Sequence, residues 1–161
     1  MTDAKPIDLA SRPAILTLNN AHARETSWLD PDRFDHLIGQ AYLALRVGEA
    51  DTFLLAFDQD ADYDSANYVW FRARYPRFAY VDRIIVAEHA RGRGLARLLY
   101  ERLFERALVD GHTMVACEVN SDPPNPGSDA FHAAMGFAPV GEATIYGDER
   151  TVRYLVRPLV N

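Results

Sequence analysis

The segment Val81-Asp82-Arg83-Ile84-Ile85-Val86, followed by Ala87 to Ala90 and then Arg91-Gly92-Arg93-Gly94-Leu95-Ala96, constrains the fold of this chain most tightly. Its first part is β-branched and apolar and reads as a strand. After Gly94, Leu95, Leu98, Leu99 and Leu103 recur at helical spacing, which predicts a helix over 94–109 that stops at Asp110-Gly111. A glycine-rich loop opening a helix gathers unpaired backbone N–H groups at the positive end of the helix dipole. The segment therefore predicts a phosphate-binding loop. Small side chains at Gly92, Gly94 and Ala96 let an anion approach the backbone, and Arg91 and Arg93 are candidates to pair with its oxygens.

The chain has 161 residues, enough for one domain with a sizeable core. Its hydrophobic fraction of 48% and charged fraction of 25% are those of an ordinary globular protein. A net charge of −6 argues against nucleic acid as the partner. One cysteine, Cys117, allows no internal disulfide, and an oxidising compartment is not implied. The opening residues lack the apolar run of a signal peptide and no stretch reads as a membrane span. A cytoplasmic location without membrane attachment is the expectation.

Residues 1–13 read as a loose leader, and the rest as one domain without repeats or linkers. Ala14 to Leu18 is expected to be a first strand, with a helical or looped segment after it. Asp30-Pro31 marks a helix start, with Phe34, Leu37, Ile38 and Ala41 as its apolar face. Tyr42 to Val47 and Thr52 to Phe57 form a hairpin around Gly48 to Asp51. Asn67 to Arg74 is expected to be helical, Phe78 to Val86 and Thr113 to Asn120 strands, and Ser121 to Gly127 a constrained loop. A short helix over 128–135 and two closing strands, 138–142 and 151–156, complete a mixed α/β order.

The loop fits neither common phosphate-binding fingerprint. Arg97 stands where a Rossmann loop needs its third glycine, and no G-x-x-x-x-G-K-[ST] occurs. The pattern [RQ]-x-x-G-x-[GA] does fit, as Arg91-Gly92-Arg93-Gly94-Leu95-Ala96. Downstream, Asn125-Pro126-Gly127-Ser128 leads to Gly136-Phe137. From Tyr80 to Phe137 the chain resembles the GNAT superfamily of acyl-CoA-dependent N-acyltransferases. Over its whole length, with Asn19-Asn20-Ala21-His22, Phe57-Asp58-Gln59-Asp60 and Asp122-Pro123-Pro124-Asn125-Pro126, it resembles a subgroup of bacterial predicted acetyltransferases. The resemblance implies a single α/β (α+β) domain whose mixed, mostly antiparallel sheet is flanked by helices. It implies acetyl-CoA as the acyl donor, with loop 91–96 around the pyrophosphate, the backbone of Ile84, Ile85 and Val86 along the pantetheine arm, and Asn125 on a pantetheine amide. The family's usual tyrosine in the later helix is replaced here by His132.

The implied chemistry is direct attack of an amine on the thioester. An amine nucleophile must be neutral, and α-amino groups titrate at about 7.7–8.0. Glu118, on the strand next to the cofactor strand, is the expected general base, with Asp82 in a similar position. His132 is the candidate to assist the leaving thiol, whose value of about 8.5 makes an acid helpful rather than obligatory. His22 and Glu25 in the N-terminal segment, and Asp58, Gln59, Asn67 and Trp70 opposite, are candidates for the acceptor pocket. A small molecule or a peptide could supply the amine, and a homodimer is left open. Asp58, Asp60, Asp62 and Asp64 lack the glycine and glutamate of a calcium loop, so no metal is expected. The alternative is a non-catalytic acyl-CoA-binding or regulatory module on the same fold.

Overall fold

Asp30 accepts a hydrogen bond from the Arg33 N–H at 2.7 Å and starts a helix over Pro31–Gln40 where the Asp-Pro signal places it. The computed structural model describes residues 3–23, 26–122, 124–145 and 150–160. In chain order the elements are β1 (Ala4–Pro6), α1 (Arg12–Ala21), α2 (Pro31–Gln40), β2 (Leu43–Val47), β3 (Thr52–Asp58), α3 (Ala66–Arg74), β4 (Ala79–Val86), α4 (Leu95–Val109), β5 (Met114–Asp122), α5 (Pro126–Ala134), β6 (Ala138–Ile145) and β7 (Arg150–Pro158). A 3-10 turn over Glu88–Ala90 joins β4 to the loop before α4. The strands form one sheet in the order β1-β2-β3-β4-β5-β7-β6. Every neighbouring pair runs antiparallel except β4 and β5. No described helix is long and apolar enough to cross a membrane.

Two expectations at the N-terminus are corrected. Ala14 to Leu18 is not a strand but the middle of α1, where Ile15, Leu18 and Asn19 are buried at helical spacing. Five residues cannot separate the two periods, and Pro13 in the first turn was the overlooked helix signal. The leader is also not loose throughout. Ala4 to Pro6 pairs with Val47 to Leu45 as an edge strand, and Ile7 is buried. The expected loop over 121–127 is shortened at both ends, because β5 continues to Asp122 and α5 begins at Pro126.

β4 and β5 pair only through Ala79↔Val115 and Tyr80↔Ala116. Immediately afterwards β4 carries an extra residue: Leu55 faces Arg83 and Ala56 faces Val81, with Asp82 between them. A bulge sharpens local twist and bends a strand away from its neighbour, so the two parallel strands splay. It also breaks the alternation of sides. Asp82 and Arg83 are adjacent in sequence yet meet, with Arg83 Nε donating to Asp82 Oδ2 at 2.6 Å.

The far end of the sheet is held by aromatic stacking. Trp70 of α3 stacks on Tyr154 of β7 at 4.1 Å between centroids, and the Arg74 guanidinium lies 4.0 Å above the indole. Gly141 of β6 makes this fit possible, since a Cβ there would stand 2.5 Å from Trp70 Cζ2. The ring is clamped on one face by Tyr154, so it has little room to yield. Gly141→Ala is expected to lower stability by about 1–3 kcal/mol, the usual cost of overpacking. A urea midpoint equal to wild type would refute this.

Candidate active site

The splay between β4 and β5 opens two cavities. A groove of about 690 Å³ runs past Val86, the loop 91–97 and Phe131 of α5. A chamber of about 310 Å³ lies deeper, between Asp82 to Ile84, Tyr100, Cys117 to Asn120 and His132. Ser128 lines both, so the two spaces meet at the first turn of α5.

The groove has the features of an anion site. Gly92 and Gly94 sit at φ 78° and 72°, a left-handed backbone that side chains disfavour. No atom lies within 4 Å of where either Cβ would point, so the space above the loop is open. Gly94 is the N-cap of α4, leaving first-turn N–H groups directed at the groove. Arg91, Leu95, Ala96 and Arg97 line it with the glycines. Arg93 departs from expectation. Its side chain turns to Asp51, 3.8 Å away, where His89 Nε2 also binds at 2.9 Å. Arg97, the residue that breaks the Rossmann pattern, takes that place in the lining.

The backbone of β4 presents an unpaired edge. Ala87 N–H donates to Asp51 O, and Ile85 O accepts from Thr52 Oγ1, so these residues face β3. By strand alternation Ile84 and Val86 direct their N–H and C=O groups into the gap toward β5. Ile85 therefore does not face the gap with its backbone, and its side chain is buried.

Glu118 lies on the chamber wall. Tyr80 O–H donates to its Oε2 at 2.7 Å, and Asn67 also hydrogen-bonds the carboxyl. The residue keeps some exposure through the chamber, but its carboxyl is surrounded by protein. Burial, reinforced by the Asp82 carboxylate and opposed by the hydrogen bonds from Tyr80 and Asn67, pushes Glu118 up to about 8. A carboxyl raised in this way favours the folded state at low pH. That contribution is lost as pH climbs from about 4.5 through about 8. Glu118→Gln is thus expected to hold its urea midpoint better than wild type between about pH 5 and pH 9. Parallel pH profiles for the two proteins would refute this.

His132 is placed at the chamber but not as a proton donor. It is buried, and desolvation lowers its value below the ordinary one, which keeps the ring neutral. Nδ1 lies 2.8 Å from Ser128 O, which can only accept, so Nδ1 carries the proton. Nε2 then accepts from the Tyr100 O–H at 2.9 Å. The one N–H of the ring is committed to a carbonyl. Asn125 also lines the chamber, but its Oδ1 caps α5 by accepting from the Ser128 N–H at 3.2 Å.

The acceptor candidates divide. Asn67 is on the chamber wall, its Oδ1 accepting from Tyr154 O–H at 3.0 Å. Trp70 packs on Tyr154 instead, and Asp58 uses its carbonyl and carboxylate on Tyr68 and Asp60. His22 closes α1, and its carbonyl accepts from the N–H and hydroxyl of Thr26, a residue of the chamber lining; Glu25 lies outside the described residues. Gln59 accepts from the Phe78 N–H in the turn before β4. The structure adds wall residues the sequence did not single out. Tyr63 O–H donates to Asp82 Oδ1 at 2.6 Å, and Arg83 Nη1 donates to Asn19 Oδ1 at 3.0 Å. Asn19 and Asn20 bind the carbonyls of Ser27 and Leu29, which pins the segment bearing Thr26 and Ser27 over the chamber. The signal was the Asn19-Asn20 pair itself.

Comparison with known proteins gives a consistent result. Residues 15–137 match the profile of the acetyltransferase (GNAT) family. None of the curated proteins searched matches the sequence. Among solved structures, the ribosomal-protein-S18-alanine N-acetyltransferase from Escherichia coli superposes with a TM-score of 0.72 at 16% identity, covering 99% of this chain and 94% of that one. NAA60 from Arabidopsis thaliana, in complex with acetyl-CoA, gives a TM-score of 0.72 at 15% identity, covering 99% of each chain. The NatC complex bound to Gag peptide and CoA gives 0.76 at 16%, again covering 99% of each.

Proposed function

The chain belongs to the acetyltransferase (GNAT) family and transfers an acyl group from acyl-CoA to an amine acceptor, and on that premise we propose how its own residues do so. The acyl group is acetyl. The loop Arg91 to Ala96, with Arg97, holds the pyrophosphate on backbone N–H groups, and the edge of Ile84 and Val86 holds the pantetheine amides. The acceptor amine enters the chamber beside Glu118. The observation that carries this reading is that the phosphate groove and the chamber containing a raised carboxyl meet at Ser128.

The residues fit an acyl-CoA donor. The left-handed glycines leave room above the loop, and the splayed strand edge offers donors and acceptors to amides. Acyl-CoA supplies the thioester carbonyl, and everything else comes from the chain. Glu118 takes a proton from the amine as the N–C bond forms. A backbone N–H of the Ile84 to Val86 edge stabilises the oxyanion. As the C–S bond breaks its electron pair goes to sulfur, and the proton removed from nitrogen balances that charge. With a value near 8, Glu118 is close to an α-amino group, so proton transfer between them is nearly balanced. A cytoplasmic setting, in which buried Cys117 stays reduced, suits this chemistry. The acceptor is a small amine or a peptide N-terminus.

The test is acetyl-CoA-dependent thiol release across a panel of amino acids, polyamines, amino sugars and peptides. Release that depends on one amine class, with the acetylated amine identified by mass, supports the reading. CoA binding with no transfer to any amine would favour the non-catalytic module.

A further inference from the structure

Asp82 lines the chamber with no task in the reading above, on which this inference rests. The bulge in β4 brings both Asp82 and Arg83 to the chamber wall, where strict alternation would send one of them to the other face of the sheet. The Asp82 side chain is 5% exposed and receives two donors, Tyr63 O–H on Oδ1 and Arg83 Nε on Oδ2, each at 2.6 Å. Among the described residues it donates to none, the pattern of an ionised carboxylate. One bond to each oxygen leaves about half of its lone-pair sites open. Arg83 is anchored at its far end, where Nη1 donates to Asn19 Oδ1 at 3.0 Å, so the anion is held in place. Its charge acts on Glu118 and on the Tyr80 phenol that binds Glu118, so the two carboxyl groups stand close together in the chamber.

We propose that Asp82 holds the N–H of the acceptor amine that Glu118 does not take, and that this pair of carboxyl groups restricts the acceptor to primary amines. A neutral primary amine directs its lone pair at the thioester carbon and keeps two N–H bonds. As the N–C bond forms, the nitrogen becomes positive. Glu118 takes one proton, and the other N–H donates to Asp82 and ends as the amide N–H of the product. A fixed anion beside the developing cation stabilises it, the more so in a chamber screened from water. A secondary amine has a single N–H, which goes to Glu118, and turns a carbon toward the buried Asp82 carboxylate. The other polar groups of the wall suit this task less. Asn67 Oδ1 is taken by Tyr154 O–H, and the Asn67 amide also binds Glu118. The wall hydroxyls, that of Ser128 at the junction included, are neutral and do not offset a charge on nitrogen. Arg83 and Arg150 are cations and disfavour it. Tyr100, Cys117 and His132 bound the chamber toward α4 and α5 and are all uncharged.

The test compares the primary amine that supports the fastest release in the panel above with its N-methyl derivative. Wild type is expected to prefer the primary amine by at least about 10-fold in kcat/KM, the range of a charge-assisted hydrogen bond. Asp82→Asn keeps the shape without the charge. It is expected to lower kcat/KM for the primary amine by about 10-fold and for the N-methyl amine by less, narrowing the preference at least about threefold. The rise in rate that wild type shows near pH 8 should also move to lower pH in the variant, because the anion that holds the Glu118 proton is gone. CoA affinity by calorimetry should stay within about threefold of wild type. The double variant Asp82→Asn, Arg83→Gln repeats the comparison with no buried guanidinium left unpaired. Equal losses for both amines with the pH profile unmoved would show a structural role alone and overturn the inference. A wild type that takes the N-methyl amine as well as the primary one would overturn it without any variant, and either result leaves the acyltransferase reading intact. Absence of transfer from wild type to any amine would overturn both.

Discussion

Gly94→Glu is expected to weaken CoA binding by at least about 100-fold while the protein still folds. Gly94 has φ 72° and caps α4, and a Cβ there points into open groove rather than into protein. The backbone cost of a side chain at that φ is about 1–2 kcal/mol, which a domain of this size tolerates. The larger effect falls on the ligand. A carboxylate beside the pyrophosphate site repels it by about 4 kcal/mol at 4 Å and an effective dielectric of 20, which exceeds the roughly 2.7 kcal/mol needed for a hundredfold loss. Gly94→Ala carries the same backbone cost without the charge and should keep most of the affinity. Calorimetry on both variants separates strain from occupancy. Unchanged CoA affinity in a folded Gly94→Glu protein would remove the phosphate loop from the proposal.

Glu118→Gln is expected to lower turnover about 100-fold or more with CoA affinity retained. The amide keeps the shape and can still accept from Tyr80, but it cannot take a proton. The pH dependence carries the sign of the effect. With its value near 8, roughly a tenth of Glu118 is ionised at about pH 7, so the wild-type rate should rise as pH passes through about 8. Glu118→Gln should lose that limb, retaining only the part due to the amine. Near-normal turnover, or an unchanged pH profile in the variant, would move the base to another group. Asp82 is a poor replacement. Its carboxylate is already bound by Arg83 Nε and Tyr63 O–H, and removing either partner would leave a buried charge uncompensated.

What the sequence determined by itself was local. Gly92 and Gly94 after a β-branched strand and before a leucine-faced helix specify a loop, because backbone freedom and helical periodicity act over a few residues. Asp30-Pro31 specified a helix start for the same reason. The hairpin of β2 and β3 and the closing strands β6 and β7 were legible from alternation and turn residues. Glu118 could be chosen because strand order after the loop follows from the motif. The limits appeared where short range ran out. Ala14 to Leu18 suits either period, and its helical state follows from what Ile15 and Leu18 bury against. Arg93 looked equivalent to Arg91 until folding brought Asp51 beside it.

Only the tertiary structure decided the chemistry of the site. The raised value of Glu118 depends on its burial in the fold and on Asp82 brought near it from β4, against the hydrogen bonds of Tyr80 and Asn67, and no spacing records these neighbours. The Tyr100 phenol meets His132, 32 residues away, beside the junction of two cavities. That junction exists because the bulge at Asp82 turns β4 from β5 after two paired residues. A register shift between strands is set by how whole sheets twist and pack, and burial, pairing and proton affinity follow from it.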